Sequence, residues 1–194
     1  MAMALDAQDD RSDDTLLALY GQGDRVAARA LADRLAPIAV RVARRMLADP
    51  AEAEDVAQEA MLRLWRAAPG WQAGTAKVST WLYRVVANLC TDRLRRRRPV
   101  PLDAAPEPED GRPGAEAGLI AADRAAALDA ALMTLPERQR EAVVLRHLEG
   151  LTNPEIAEIM GIGVEAVESL TARGKRGLTQ ALAGRREELG YGDD

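Results

Sequence analysis

The chain has 194 residues, 47% of them hydrophobic and 29% charged, which is enough apolar material for one large domain or two small ones. Aromatic residues make up only 3% and Phe is absent, so the composition argues against a β-sandwich and favours an all-α fold of two small helical domains. A single Cys and a single His exclude a disulfide framework and a zinc site built from the usual ligands, and we expect no cofactor.

The net charge of −5 argues against strong binding to nucleic acid, but the charges are unevenly distributed. Acidic residues cluster at 6–14 and 103–116, whereas basic residues cluster at 41–45, 93–98 and 173–176. We therefore expect local DNA contacts that are weak in the isolated chain. No stretch approaches the run of about 18 apolar residues that a membrane helix needs, and the acidic start is unlike a signal peptide. These features predict a cytoplasmic protein without membrane insertion.

Four helices are predicted in the first domain, over residues 12–98. Positions 15–20 lead into a longer helical pattern over 24–47, which Pro37 is expected to kink or divide. Asp49, Pro50 and Glu52 then supply an N-cap, a proline at the first helical position and an acid at the third. The helix that they begin is predicted to run to about residue 67.

This third helix has two distinct sides. Val56, Ala60 and Leu64 follow an i, i+4, i+8 line and are expected to face the core. Another side carries four residues, Asp55, Gln58, Glu59 and Leu62. That side is interpreted either as a solvated acidic stripe or as a docking surface for a basic partner helix.

A loop at 69–79 precedes the fourth helix, predicted over 79–98 with Ser79 or Thr80 as its cap. Away from its apolar side the helix carries four polar residues, Arg84, Asn88, Thr91 and Arg95, and the loop contains Trp71 and Lys77. Aromatic faces stack on unpaired bases while guanidinium groups hold the backbone, so this combination indicates single-strand binding. The alternatives are core packing for Trp71 and Trp81 and a solvated helix end for the arginines.

Residues 99–118 are rich in Pro, Gly and acid and lack apolar periodicity, which predicts a flexible linker. Beyond it, helices are predicted over 119–133 and 136–149, the second ended by Gly150. Thr152 and Glu155 form a capping box that starts the next helix, and Leu151 can pack on Ile156.

A helix-turn-helix is predicted from residue 152 onward, with its second helix running from 164 to 178 or beyond. Gly161 lies where a tight turn needs a positive φ, and Ala157 is small where the two helices must approach. Core-facing positions hold apolar residues, namely Ile156, Met160, Ile162, Val167 and Leu170. An ordinary helical hairpin does not require Ala and Gly at this spacing.

The second helix of such a motif enters the DNA major groove. Its outward residues are Glu165, Glu168, Ser169, Ala172 and Arg173, with Lys175 and Arg176 placed for phosphates. A carboxylate can accept a hydrogen bond from cytosine N4, but it repels phosphates. We therefore expect this domain to bind DNA poorly on its own.

Three segments in this order, AEDVAQEAMLRLW, STWLYRVVANLCTDRLRRRR and LPERQREAVVLRHLEGLTNPEIAEIMGIGVEAVESLTARGKRGL, resemble the extracytoplasmic-function (ECF) class of bacterial sigma factors. The resemblance implies a non-enzymatic initiation factor that directs core RNA polymerase to promoter DNA, commonly under the control of an anti-sigma factor. It implies that residues 12–98 correspond to sigma region 2 and residues 119–187 to region 4. The linker would then run toward the RNA-exit path of the polymerase.

The resemblance also implies a role for each surface. Asp55, Gln58, Glu59 and Leu62 would dock on the coiled-coil clamp of the large polymerase subunit. Contacts to the −10 element would come from Trp71, Lys77, Arg84, Asn88, Thr91 and Arg95. Contacts to the −35 element would come from Glu165, Glu168, Ser169, Ala172, Arg173, Lys175 and Arg176.

Two other functions fit parts of the sequence. A polymerase-independent helix-turn-helix regulator would bind operators tightly as a dimer, and no extra apolar helix is evident to form its interface. An enzyme acting on nucleic acid would need clustered carboxylates or a metal site. The lone His147 is interpreted as a helix-end residue near Gly150.

Overall fold

The computed structural model describes residues 11–72, 74, 77–97 and 116–183, the last range with side chains from residue 124. Within these ranges the regular structure is helical and no strand is present, which confirms the all-α prediction. The described residues form two groups of four α-helices, here called the N-terminal and C-terminal halves, on either side of residues 98–115.

The N-terminal half consists of α1 (Asp13–Gly21), α2 (Arg25–Leu47), α3 (Pro50–Ala67) and α4 (Val78–Arg97), with a short 3-10 turn at Ala68–Gly70. Side-chain caps explain where the first three begin. Ser12 accepts from the amide of Thr15, and Asp24 accepts from the amides of Val26 and Ala27. Asp49 accepts from the amide of Glu52 at 3.0 Å, so the predicted start of α3 is confirmed.

Pro37 does not divide α2, which is continuous over 23 residues, and this part of the prediction is wrong. Proline removes one intrahelical hydrogen bond from the carbonyl four residues earlier, here that of Asp33. Both Pro37 and Asp33 lie on the exposed side of α2, where water can bond that carbonyl. The opposite side is held by buried Leu31, Leu35 and Val42, so the helix persists.

The start of α4 also differs from the prediction. The helix begins at Val78, and the amide of Trp81 bonds the carbonyl of Lys77 at 3.1 Å, which leaves Ser79 and Thr80 inside the first turn. Val78 and Thr80 are buried. Packing of Val78 against the core therefore overrides the capping preference of the two hydroxyl residues.

The C-terminal half consists of α5 (Glu116–Met133), α6 (Glu137–Val143), α7 (Asn153–Met160) and α8 (Val164–Ala183). A π-helical turn, Val144–Leu148, continues α6, and Gly150 then takes a positive φ of 73° as predicted for a helix end. The predicted linker lies outside the described residues except for 116–118, which form the start of α5.

The buried side chains of the two halves belong to one hydrophobic cluster, so the halves touch. In the N-terminal half α2 packs against α1, α3 and α4, and in the C-terminal half α8 packs against α5, α6 and α7. Large side chains with under 2% exposure include Leu31, Leu64 and Leu82 in the first and Leu132, Leu145 and Ile156 in the second. Between the halves, α7 lies against α4, while α5 and the π-helical turn lie against α2. This arrangement places the first and second halves in direct contact.

Candidate functional site

The acidic side of α3 lies at the surface, and its inner side is buried as predicted. Val56, Ala60 and Leu64 have 0% exposure. Asp55, Gln58 and Leu62 are exposed and Glu59 is half-buried. These four residues line one wall of a groove of about 390 Å³, whose other wall comes from α4.

The two acids of this groove already have arginines within reach. The Asp55 carboxylate lies 3.6 Å from the Arg93 guanidinium of α4, and Glu59 accepts from Arg63 at 2.9 Å. With side-chain exposures of 67% and 37% for the two acids, such pairs contribute only about 0–1 kcal/mol. The cations of a partner can therefore replace these arginines at little cost.

Trp71 is fixed by two contacts. Its indole Nε1 donates to the Asp14 carboxylate of α1 at 3.1 Å, and its ring stands edge-on to Trp81, with centroids 6.0 Å apart. Both tryptophans are partly buried against the core. Core packing therefore accounts for Trp81, and Trp71 keeps only part of its ring open to solvent.

The polar side of α4 faces the C-terminal half. Arg84 donates to the carbonyl of Glu158 at 2.5 Å, and the Lys77 ammonium lies 3.2 Å from the Glu155 carboxylate, both partners being in α7. Asn88, Thr91 and Arg95 line a groove of about 520 Å³ whose far wall is formed by residues of α6 and α7. Arg84, Asn88 and Arg95 remain exposed and Thr91 is half-buried, while α7 contacts this side of α4 at Arg84.

The helix-turn-helix is formed as predicted. The amide and the hydroxyl of Thr152 both donate to the Glu155 carboxylate, at 2.9 and 2.8 Å, and α7 begins at Asn153. These hydrogen bonds from Thr152, joined by one from Lys77, lower the pKa of Glu155 to about 2. Gly161 takes a φ of 64° between α7 and α8, as the tight turn requires. Ile156, Met160 and Val167 are buried, while Ile162 and Leu170 pack partly buried on the same core.

The outward side of α8 is open to solvent. Exposed residues there are Glu165, Glu168, Ser169, Ala172, Arg173, Lys175 and Arg176. Two of them are oriented by neighbours, because Glu168 accepts from the Asn153 side-chain Nδ2 at 3.3 Å and Arg173 donates to the Ser169 hydroxyl at 2.7 Å. Lys175 lies at the edge of this side of α8, where it lines a pocket together with His147. Burial, Lys175 and Arg146 lower the pKa of His147.

Two glycines of α8 let it approach α6 and the turn before α6, a feature that the sequence did not predict. A Cβ at Gly174 would lie 2.5 Å from Val143 Cγ2 and 3.0 Å from the Gln139 carbonyl oxygen. One at Gly177 would lie 2.7 Å from Leu135 Cδ2. Glycine inside a helix with no turn is the only signal in the sequence that could have indicated this close packing.

The role of Glu149 was not predicted either. It follows the π-helical turn of the C-terminal half, and its carboxylate accepts two hydrogen bonds from Arg41 of α2, at 2.8 and 2.6 Å. A third comes from the Tyr83 hydroxyl of α4 at 3.0 Å. Burial, reinforced by this carboxylate, raises the pKa of Tyr83. Nothing in the local sequence distinguishes Glu149 from an exposed helix-end acid.

No group of three or more potential metal ligands occurs among the residues that the structure describes. Over the same ranges, no helix combines the length and the apolar character that crossing a membrane would demand.

Each half matches a known protein family. Residues 31–100 match the family described as Sigma-70 region 2, and residues 125–178 match the family described as Sigma-70, region 4. The chain is 36% identical to the ECF RNA polymerase sigma factor SigM of Mycobacterium tuberculosis, over 93% of this chain and 90% of the relative. It is 32% identical to the ECF RNA polymerase sigma factor SigW of Bacillus subtilis, over 71% and 79% of the two chains.

Solved structures share the fold. A structure described as CnrH in complex with the cytosolic domain of CnrY matches with a TM-score of 0.69 and 24% identity, covering 90% of this chain and 99% of the other. The sigma factor RpoE of Bartonella quintana, solved with the anti-sigma factor NepR, matches with a TM-score of 0.60 and 19% identity, covering 78% and 94%.

Proposed function

The chain belongs to the ECF class of RNA polymerase sigma factors, and on that premise we propose that it docks on core polymerase through α3 and contacts promoter DNA through α4 and α8. It acts in the cytoplasm as a non-enzymatic factor: the polymerase supplies catalysis and most of the affinity, and this chain supplies promoter choice.

The observation that carries the docking assignment is the acidic groove wall of α3. Asp55, Gln58, Glu59 and Leu62 present two carboxylates, an amide and a 43%-exposed leucine along one side of a rigid helix. An apolar side chain one turn beyond two carboxylates suits a basic helix that also carries apolar side chains, because the partner can then bury apolar area and pair its charges on the same surface. A merely solvated stripe has no need of Leu62.

The proposal places one DNA-binding surface in each half of the chain. In the N-terminal half, the −10 element is assigned to Trp71, Lys77, Arg84, Asn88, Thr91 and Arg95, on α4 and the loop before it. In the C-terminal half, the −35 element is assigned to Glu165, Glu168, Ser169, Ala172, Arg173, Lys175 and Arg176. The exposure of this side of α8 supports the assignment.

Control by an anti-sigma factor is part of the proposal. RpoE of Bartonella quintana, which shares the fold, was solved with the anti-sigma factor NepR. A partner that covers the acidic groove wall of α3 would compete directly with the polymerase.

The docking assignment is tested by charge reversal. Asp55→Lys with Glu59→Lys is expected to weaken co-elution with core polymerase by about tenfold or more, because unpaired like charges would then face a basic partner. The matched control is Glu54→Lys, which reverses an exposed acid on a neighbouring side of α3. Equal retention of the double variant and the control would refute the docking surface.

The same preparation separates this function from that of an independent regulator. With core polymerase, the protein should initiate at a restricted set of promoters in a transcription assay on genomic DNA. A polymerase-independent regulator would instead bind operator DNA tightly without core.

A further inference from the structure

Helix α1 supports the beginning of the loop that precedes α4. It contacts the 3-10 turn just before Trp71, and a Cβ at Gly21 would lie only 3.0 Å from the Ala68 carbonyl oxygen of that turn. Near the other end of α1, Asp14 accepts a hydrogen bond from Trp71 Nε1 at 3.1 Å. One helix therefore packs against the backbone of this segment and binds its aromatic side chain.

The position of Asp14 is itself fixed by its neighbours. Ser12 caps the first turn of α1 through its hydroxyl. Arg34 of α2 donates to the Asp13 carboxylate at 3.0 Å and to the Arg11 carbonyl at 2.7 Å. Because the first turn of α1 is tied to α2 in this way, the Asp14 carboxylate is a firmly held acceptor for the indole.

The hydrogen bond orients Trp71 without covering its ring. The Nε1–H bond lies in the plane of the indole, so an acceptor placed there restrains rotation of the ring and leaves both faces free of the acceptor. Trp81 stands perpendicular to Trp71, at an interplanar angle of 88°, and meets at most one of those faces. The solvent-exposed part of the Trp71 ring is thus held in one orientation, which lowers the entropy lost when a base stacks on it.

The charge of Asp14 works against this benefit. A carboxylate beside a DNA-binding surface repels phosphates, and the chain already has a net charge of −5. Removing the charge alone should therefore strengthen DNA binding, whereas removing the hydrogen bond should weaken it if the bond orients the indole. The two contributions have opposite signs and can be separated.

We propose that Asp14 is a positioning residue for promoter recognition, which acts through Trp71 by holding the indole in the orientation that stacks on an unpaired base of the −10 element. The inference rests on the proposed function, since it takes Trp71 to contact that element. It adds α1 to the elements that determine promoter binding, although Asp14 itself meets no base.

Two substitutions at Asp14 separate the bond from the charge in the complex with core polymerase. The probe is a fluorescein-labelled promoter fragment, taken from a start site mapped with that complex, whose −10 region is kept unpaired by mismatches. Asp14→Leu removes the acceptor and is expected to weaken binding about fivefold or more, the lower end of what stacking on one base contributes. Asp14→Asn keeps an acceptor oxygen and removes the charge, so its affinity should equal or exceed that of the wild type.

The matched control is Asp13→Leu, which removes the neighbouring acid that pairs with Arg34 instead of Trp71. It should bind the promoter fragment as tightly as the wild type or more tightly. Circular dichroism checks that each variant keeps its helical content. Wild-type affinity in Asp14→Leu, or an equal loss in Asp13→Leu, would overturn the positioning role, because Asp14 would then only stabilise α1.

Action through Trp71 is tested from the other side of the bond. Trp71→Phe keeps an aromatic ring but has no N–H to donate, so adding Asp14→Leu to it should cause no further loss of affinity. A further fivefold loss in the double variant would show that Asp14 acts by another route and would overturn the proposal.

Single abasic sites identify the stacked base. Removing the base that stacks on Trp71 should weaken wild-type binding, and this penalty should shrink in Asp14→Leu, because the ring is no longer oriented. Penalties of equal size in both proteins at every position would contradict the inference. Absence of selective initiation by the wild-type protein with core polymerase would reject the proposed function and the inference with it, whereas selective initiation without an effect of Asp14→Leu rejects the inference alone.

Discussion

At the scale of single residues, burial restricts the reactivity of Cys90 and the space available at Gly174 and Gly177. Burial raises the pKa of the Cys90 thiol to about 12, so the only cysteine is a packing residue without thiolate character at neutral pH. Gly174 and Gly177 differ in what surrounds them, because backbone and a β-branched side chain face the first and only the end of a leucine faces the second.

This difference predicts opposite outcomes for two similar substitutions. Gly174→Ala should lower the free energy of unfolding by about 1–2 kcal/mol, because the clash with Val143 and the Gln139 carbonyl exceeds the gain of about 1 kcal/mol in helix propensity. Gly177→Ala should be neutral or stabilising, since Leu135 can change rotamer. Urea unfolding of both variants measures this, and equal stability of the two would contradict it.

At the scale of helices, the sequence predicted most ends and missed those decided by packing. Asp49 and Gly150 lie at helix ends that local interactions determine. The Asp49 carboxylate accepts from a free amide at a helix start, and Gly150 takes the positive φ that follows a helix end. Pro37 and Ser79 were misinterpreted because the burial of neighbouring residues outweighed a local preference. The start of α7 is capped by Thr152 together with the Glu155 carboxylate.

The cap of α7 should be visible in acid unfolding. Because the folded-state pKa of Glu155, about 2, lies below its ordinary value of 4.5, its contribution is complete above that ordinary value and is lost as the pH falls toward 2. Glu155→Ala should cost about 1 kcal/mol at pH 7, and its deficit relative to wild type should shrink on acidification. The control is Glu158→Ala, an exposed position on the same helix. A deficit independent of pH would rule out the carboxylate as its source.

At the scale of the whole molecule, the distribution of charge bears on how strongly the chain alone can bind DNA. The chain has a net charge of −5, and two of the residues predicted to face the major groove are glutamates. In the free form, part of the basic surface of α4 is paired internally with α7. Each of these features weakens unassisted binding to DNA, which suits a factor that works within a larger assembly.

The assembled state offers a test of the basic helix. In complex with core polymerase, Arg84→Ala and Arg95→Ala should each reduce the log–log salt slope of promoter binding by about 0.7, the value for one phosphate that is no longer neutralised on single-stranded DNA. Arg25→Ala, at an exposed position at the start of α2, should leave the slope unchanged. If the slope of Arg95→Ala equals that of the Arg25→Ala control, Arg95 is only a solvated helix end.

The sequence by itself determined the all-α fold, most helix ends, the helix-turn-helix and the order of two recognisable regions. These properties depend on interactions between residues a few positions apart, such as Thr152 with Glu155, and local spacing encodes them. Only the tertiary structure decided that Gly174 admits α6, that the Glu149 side chain is buried between Arg41 and Tyr83, and that α7 contacts α4. Those contacts join residues up to 108 positions apart, and they arise from packing of whole helices.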